Sequence, residues 1–392
     1  MRKIWGLLLG VGLATFLYVI YRHSYLIQSL RNLPRVGSVA ELTTSDRELL
    51  AKITLPENFI ISYFAKDVPG ARSMTMGSNG IIYVGTRGEN VIYALADKDH
   101  DGRADERTVV IDHLNTPNGV AYKDGDLYVA EISRVIKFSD IDRSYDKHPK
   151  YDVVYDDFPK DIDHGWKYIA IGPDNKIYVP VGVPCNICEP KDPYGSITRI
   201  NTDGSGFEIY ARGIRNTVGF DWNPETKDLW FTDNGRDLMG DDIPPDELNV
   251  APDKGLHFGY PYCHAGDIVD PKFGRGKVCS NYASPAIKLG PHVAALGFKF
   301  YRGTSFPKEY SNRVFIAEHG SWNRREPIGY RITTVEIQGN KAENYQVFAE
   351  GWLSKSGDAW GRPVDILELK DGSILVSDDK AGAIYRISYQ SI

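Results

Sequence analysis

Three stretches of this chain place ionisable side chains where β-strands begin or end. In DIDHGWKYIAIGPDNKIYVPVG, His164 stands just ahead of an apolar alternating run. An imidazole there can act as a base at neutral pH, and it can equally cap or pack a strand. The second stretch, RNTVGFDWNPETKDLWFTDNGRDLMGDD, opens with Arg215 and Asn216. A guanidinium at that position can hold a carboxylate, stabilise a developing oxyanion, or bridge to a neighbouring unit. Leu229 to Asn234 alternates as a strand and runs into NGRD, Asn234 to Asp237, where a glycine lets backbone carbonyls face a cation. GDDIPPDELN then adds Asp241, Asp242, Asp246 and Glu247 in a loop that is either solvated or metal-binding. The third stretch, EHGSWNRREPIGYRI, gathers His319, Trp322, Asn323, Arg324 and Arg325, and WGRPVD brings Arg362. Arginines converging from three loops suit an anionic ligand with several carboxylates or phosphates.

A fourth cluster has a different character. DKDHDGRADE sets Asp97, Asp99 and Asp101 at alternate positions, then Gly102 and Asp105. That spacing wraps an oxygen-preferring calcium ion in a short loop, in a structural role, although the twelfth position is Thr108 rather than a bidentate glutamate. An acidic surface turn is the plain alternative. The four cysteines fall into two local pairs, Cys185 with Cys188 and Cys263 with Cys279. In an exported chain these read as two disulfides; a four-thiolate zinc site is the alternative.

These residues need a scaffold, and internal repetition supplies one. A unit of strand, turn, strand and further strand starts at Met74, Gly119, Tyr168, Val218, Leu296 and Val364. Periods of about 40 to 50 residues with only strands inside them are the mark of propeller blades, each too small to fold alone. Six units predict an all-β, six-bladed β-propeller over residues 53–392. The longest interval begins at Val218 and places an insertion at roughly 235–289. Insertions at one end of a propeller are where a site is expected.

Ahead of the repeats, MRK is followed by the uncharged run Ile4 to Tyr21. Residues 1–23 are therefore expected to form a signal anchor, a transmembrane helix with its N-terminus inside, with a cleaved signal peptide as the alternative. Residues 24–52 read as a tether. This places the domain outside the cytoplasm, on the periplasmic or extracellular side and held to the membrane. Net charge is −6 with acids and bases intermixed, which leaves no basic face for nucleic acid.

HGWKYIAIGPDNKIYVPVG, RGIRNTVGFDWNPETKDLWFTDNGRD, DDIPPDELN and HFGYPYCH together resemble the glucose/sorbosone dehydrogenases, six-bladed propellers that use pyrroloquinoline quinone and calcium. The likeness runs from about Pro56 to Ser388. It implies a dehydrogenase passing hydride from a sugar or related alcohol to the quinone. His164 would be the base, and Arg215 would stabilise the oxygen that becomes negative, with Asn216 beside it. The carbonyls of Gly235 and Arg236 would hold calcium. Arg362 and one of Arg324 or Arg325 would pair with cofactor carboxylates, and Asn118 would face the substrate. The chain departs from the family's pattern at Arg236, where proline is common, and in its longer blade-five loop. The electron acceptor, a quinone or a cytochrome, is not legible. Two other classes fit a propeller: a calcium-dependent lactonase-type hydrolase, which would need acidic or amide groups at several strand starts, and a non-enzymatic binding module.

Overall fold

The computed structural model describes residues 36–391. The expected anchor at 1–23 lies outside the described residues, among which no helix is long and apolar enough to cross a membrane. Six antiparallel sheets form the blades, and the innermost strands of neighbouring blades lie side by side around a channel. In blade order these strands are Ala71–Met76, Gly119–Lys123, Ala170–Ile171, Phe220–Trp222, Ala295–Phe300 and Pro363–Glu368.

Ring closure follows from the order of strands in the last sheet. Phe59–Ala65, from the start of the domain, pairs antiparallel with Ala383–Tyr389 at its end, so the outermost strand of blade six precedes blade one in sequence. That pairing removes the open edge between the last and first blades. Apolar side chains fill the spaces between sheets. Tyr178, Phe220, Trp222 and Phe231 lie together between blades three and four, and Phe59, Phe306, Phe315 and Phe348 between blades five and six. Glycines stand in or just ahead of some inner strands because the next blade's backbone is too close for a side chain. A Cβ on Gly219 would stand 2.1 Å from the Leu296 carbonyl oxygen, and one on Gly297 would stand 2.5 Å from Asp365 Cα.

Antiparallel order fixes which loops share an end. The starts of the first strands and the loops after the second strands open on one face; the turns after the third strands open on the other. The former carry His164, Arg215 and His319, and the latter carry Asp97 to Asp105.

Two sequence expectations need correction. The tether expected through Lys52 is folded from Val36 onward. Val36–Ser38 pairs with Glu106–Thr108 as a fifth strand of blade one, and the helix Thr44–Leu50 starts at a capping box between Thr43 and Asp46. The acidic DDIPPDELN segment is not a solvated loop over its second half. Pro245–Ala251 forms the third strand of blade four, with Asp246 and Glu247 buried. The insertion therefore lies at 252–286, between the third and fourth strands. It climbs beside the last strand of blade three, where Arg212 and His257 form a parallel bridge, and carries the hairpin Cys263–His264 with Ile268–Val269 toward the site. Both expected disulfides are formed, Cys185 to Cys188 and Cys263 to Cys279.

Candidate active site

A cavity of about 330 Å³ opens at the end of the channel that bears the first-strand starts. His164, Arg215, Asn216, Gly235 and Arg362 line it, drawn from the segments flagged in blades three, four and six. A second cavity of about 570 Å³ adjoins it, and Arg87, His164, Trp166, Arg215 and Asp237 belong to the walls of both.

His164 holds a left-handed backbone conformation, φ 49°. Its Nδ1 lies 2.8 Å from the carbonyl oxygen of Val183. A carbonyl can only accept, so Nδ1 carries the proton and Nε2 keeps its lone pair. Burial, followed by the charge of Arg215, lowers its pKa from 6.5 to about 4. The ring is therefore a neutral acceptor at pH 7.

Arg215 is buried and held from three sides. Nε donates to the Asn186 carbonyl at 3.0 Å, Nη2 to Asn186 Oδ1 at 3.1 Å and Asp237 Oδ2 at 3.0 Å, and Nη1 to the Asn234 carbonyl at 3.2 Å. A guanidinium has five N–H groups, so one on Nη1 remains unengaged beside the cavity. The backbone amides of Arg215 and Asn216 donate to the two oxygens of Asp233 at 2.9 and 2.7 Å. Burial raises the pKa of Asp233.

The NGRD turn is pinned at every residue. Asn234 Nδ2 donates to the carbonyls of Asn216 and Ala295, and Gly235 N donates to Asp246 at 2.8 Å. Asp237 N donates to Asn186 Oδ1 at 2.8 Å, and its side chain receives Asn323 Nδ2 at 2.9 Å. Arg236 turns its side chain away and donates to Asp270 at 2.6 Å, an oxygen that also receives His264 Nε2 at 2.9 Å. The climbing insertion thus braces this turn through Asp270, which is 1% exposed. Among the described residues, no hydrogen bond engages the carbonyls of Gly235 and Arg236.

The cavity has an excess of cations. Arg72 pairs with Asp379 at 2.8 Å and Arg215 with Asp237. Arg362 donates to the carbonyls of His319 at 2.9 Å and Gly320 at 2.6 Å, without a carboxylate on its side chain. Arg87 has no ion pair among the described residues; its guanidinium carbon lies 3.7 Å from the centre of the Trp166 ring. Its side chain is solvent-exposed, so the downward pull on its pKa from partial desolvation and the charge of Arg72 is limited, and the nearby Asp379 opposes it. Trp166 Nε1 and Asn323 Oδ1 are buried without partners among the described residues. Cation excess, an unengaged Arg N–H and orphaned polar atoms together fit a multiply charged anion with further polar groups.

Other expected site residues fall outside the cavity. Arg324 and Arg325 are drawn to the blade-four loop instead: Arg324 meets the Asp241 carbonyl and Asp242, and Arg325 meets the Asp241 side chain at 2.8 Å. Asn118 is buried, accepting from Arg72 Nε at 2.8 Å and donating to the Lys167 carbonyl at 2.9 Å. It orients Arg72 and does not face the cavity. At the opposite end of the ring, Asp97, Asp99 and Asp105 bring carboxylate oxygens within 4.8 Å of one another. Asp101 accepts instead from Arg103 N at 2.8 Å.

Arg72, Arg87, Trp166, His292 and Asp379 were not singled out from the sequence, although the repeat held a signal for two of them. Residues directly after the second strands Ile82–Thr86, Leu229–Asp233, Arg313–Glu318 and Ile374–Asp378 are Arg87, Asn234, His319 and Asp379. The first three line the cavity and the fourth pairs with Arg72.

Residues 45–386 match the model of DUF7133, a domain of unknown function. An uncharacterized protein of Borreliella burgdorferi is 34% identical over 368 residues, covering 90% of this chain and 95% of that one. The aldose sugar dehydrogenase YliI of Escherichia coli is 28% identical over 194 residues, 48% of this chain and 46% of the enzyme. Among solved structures, the holo form of the pyranose dehydrogenase PQQ domain from Coprinopsis cinerea superposes with a TM-score of 0.73 at 18% identity, covering 86% of this chain and 97% of the domain. In sequence and in fold the chain resembles the quinone-dependent sugar dehydrogenases.

Proposed function

From the premise that the chain belongs to the DUF7133 family, we propose that it is a dehydrogenase that oxidises a sugar with pyrroloquinoline quinone and calcium bound in the inner cavity. The observation that carries this reading is the pairing of a neutral His164 with an Arg215 that keeps one N–H unengaged, in a chamber where Arg87 and Arg362 have no carboxylate partner among the described residues. A quinone bearing several carboxylates suits that chamber, since Arg362 can receive one, Arg72 keeps Nη2 beyond its bonds to Asn118 and Asp379, and Arg215 retains a donor for a ring oxygen. The unengaged carbonyls of Gly235 and Arg236 suit a calcium ion, which prefers oxygen ligands. When bound, the quinone accepts hydride and the metal polarises its carbonyl.

In this reading the chain's own groups act on protons and charge. His164 Nε2 takes the proton of the substrate hydroxyl, while Val183 fixes the tautomer through Nδ1. The unengaged N–H of Arg215 is aimed by Asn186, Asn234 and Asp237, so it needs no reorganisation when negative charge develops. Trp166 Nε1 and Asn323 Oδ1 offer a further donor and acceptor to the bound group. The Asp97, Asp99 and Asp105 carboxylates would hold a second, structural calcium, far from the chemistry. Export to the periplasmic or extracellular side and membrane attachment through residues 1–23 complete the proposal, with an acceptor quinone or cytochrome drawing off the electrons. The test is reconstitution of the full chain with calcium and the quinone, followed by dye reduction with a panel of aldoses. Activity that requires both additions supports the proposal; a panel without turnover under any combination refutes it.

A further inference from the structure

Beside the inner cavity, the outer one holds His164 together with Arg87, a cation that makes no ion pair among the described residues. Arg87 stands where the two cavities meet, on the loop after the second strand of blade one, whereas Arg72 and Arg362 line the inner cavity alone. Its guanidinium carbon lies 3.7 Å from the centre of the Trp166 ring, and Trp166 is two residues from His164 on the same segment. The base and the ring under the cation thus share one short stretch of backbone. The outer cavity's other charges are Arg215 with its partner Asp237, which cancel, and Asp163 at the exposed rim. Asn115, Thr116 and Asn186 add neutral donors and acceptors suited to hydroxyl groups.

We infer that the outer cavity selects sugars carrying an oxyanion, a carboxylate or a phosphate, and that Arg87 recognises that group. A planar fork of donors beside an aromatic ring matches an oxyanion in geometry and charge. Partial desolvation strengthens the contact relative to water. This rests on the dehydrogenase reading, since it names the substrate class of that same site.

The test uses the full chain reconstituted with calcium and the quinone, with D-glucose, D-glucuronate and D-glucose 6-phosphate as substrates. For the unaltered protein, kcat/KM is expected to be about 10–100-fold higher for at least one anionic sugar than for glucose, the worth of a hydrogen bond to a charged group. The two anionic arms decide between carboxylate and phosphate. In Arg87→Gln that ratio falls toward one, and in Arg87→Lys, which keeps the charge without the fork, it is partly retained. A ratio near one in the unaltered protein, or a ratio unchanged by Arg87→Gln, overturns the inference. So does an Arg87→Gln variant that loses quinone affinity about 10-fold while keeping its substrate ratio, since Arg87 would then be a cofactor ligand. If no sugar is oxidised, the dehydrogenase reading itself fails, and equilibrium binding of the same sugars decides the charge claim. Glucuronate or glucose 6-phosphate must then bind more tightly than glucose and lose that advantage in Arg87→Gln; equal binding refutes it.

Discussion

Replacing His164 by asparagine probes the site with the least collateral change. The backbone there is left-handed, φ 49°, a conformation that costs most residues roughly 1–2 kcal/mol but that asparagine tolerates. The asparagine amide can also donate to the Val183 carbonyl, as Nδ1 does at 2.8 Å. What disappears is the basic Nε2, so turnover should fall about 10²–10⁴-fold with quinone affinity nearly intact. The pH dependence carries independent information. The buried imidazole is neutral down to about pH 4, so kcat/KM should be flat from pH 6 to 8 and drop on an acid limb well below 6.5. Stability follows with a definite sign. Between pH 6.5 and about 4 the unfolded chain binds a proton at this residue that the folded one refuses, so stability rises with pH across that window and is complete above it. A lowering from 6.5 to about 4 is worth about 3 kcal/mol at the acid end. Hence wild-type Tm should fall more than that of His164→Asn as pH drops from 6.5 to 4.5. Steady-state dye reduction, cofactor titration and thermal melts on both proteins measure all three. Undiminished turnover in His164→Asn, or a wild-type acid limb centred near 6.5, would refute the reasoning.

Arg215→Lys keeps the charge but lacks the fork that meets Asn186, Asn234 and Asp237, so turnover should drop about 10²–10³-fold, the loss expected for one oxyanion donor; a near-normal rate would show that charge alone suffices. Asp270→Asn leaves the buried Arg236 guanidinium without its carboxylate, and urea melts should show a loss of about 3–5 kcal/mol; a change under about 1 kcal/mol would mean the insertion does not brace the NGRD turn. Asp99→Ala should reduce the rise in Tm on adding calcium to the quinone-free protein, without altering the chemistry at the opposite face. An unchanged rise would remove the structural calcium assignment.

The ring of blades was legible because its cause is local and repeated. Alternating apolar strands joined by turns bearing Gly, Asn or Asp recur six times, and glycines such as Gly219 mark where neighbouring backbones approach within contact. His164, Arg215, Asn216, Gly235 and Arg362 were legible because each sits at an equivalent strand start or strand end. Arg324 and Arg325 were expected at the cavity, but loop arginines choose between nearby partners, and Asp241 and Asp242 of the blade-four loop hold them outside its lining. Asn118 was expected to face the substrate, but Arg72 occupies its acceptor. The third strand of blade four was missed because Asp246 and Glu247 read as acids of a solvated or metal-binding loop. In the fold they accept backbone amides, from Gly235 at 2.8 Å and from Ala265 at 2.6 Å, which lets buried carboxylates stand inside a sheet. Arg87 carried no motif and became visible only by aligning second-strand ends across blades.

The central claim is that the inner cavity holds a quinone that a sugar can reduce. Under anaerobic conditions, the full chain saturated with calcium and pyrroloquinoline quinone should show the absorbance of the bound oxidised cofactor. Adding an excess of the substrate sugar should convert it, in one turnover and with one equivalent of sugar oxidised, to the spectrum of the reduced form. His164→Asn should bind the cofactor equally and convert it at least 100-fold more slowly. A cofactor that binds but stays oxidised with every sugar tried, or that does not bind at all in the presence of calcium, would contradict the account.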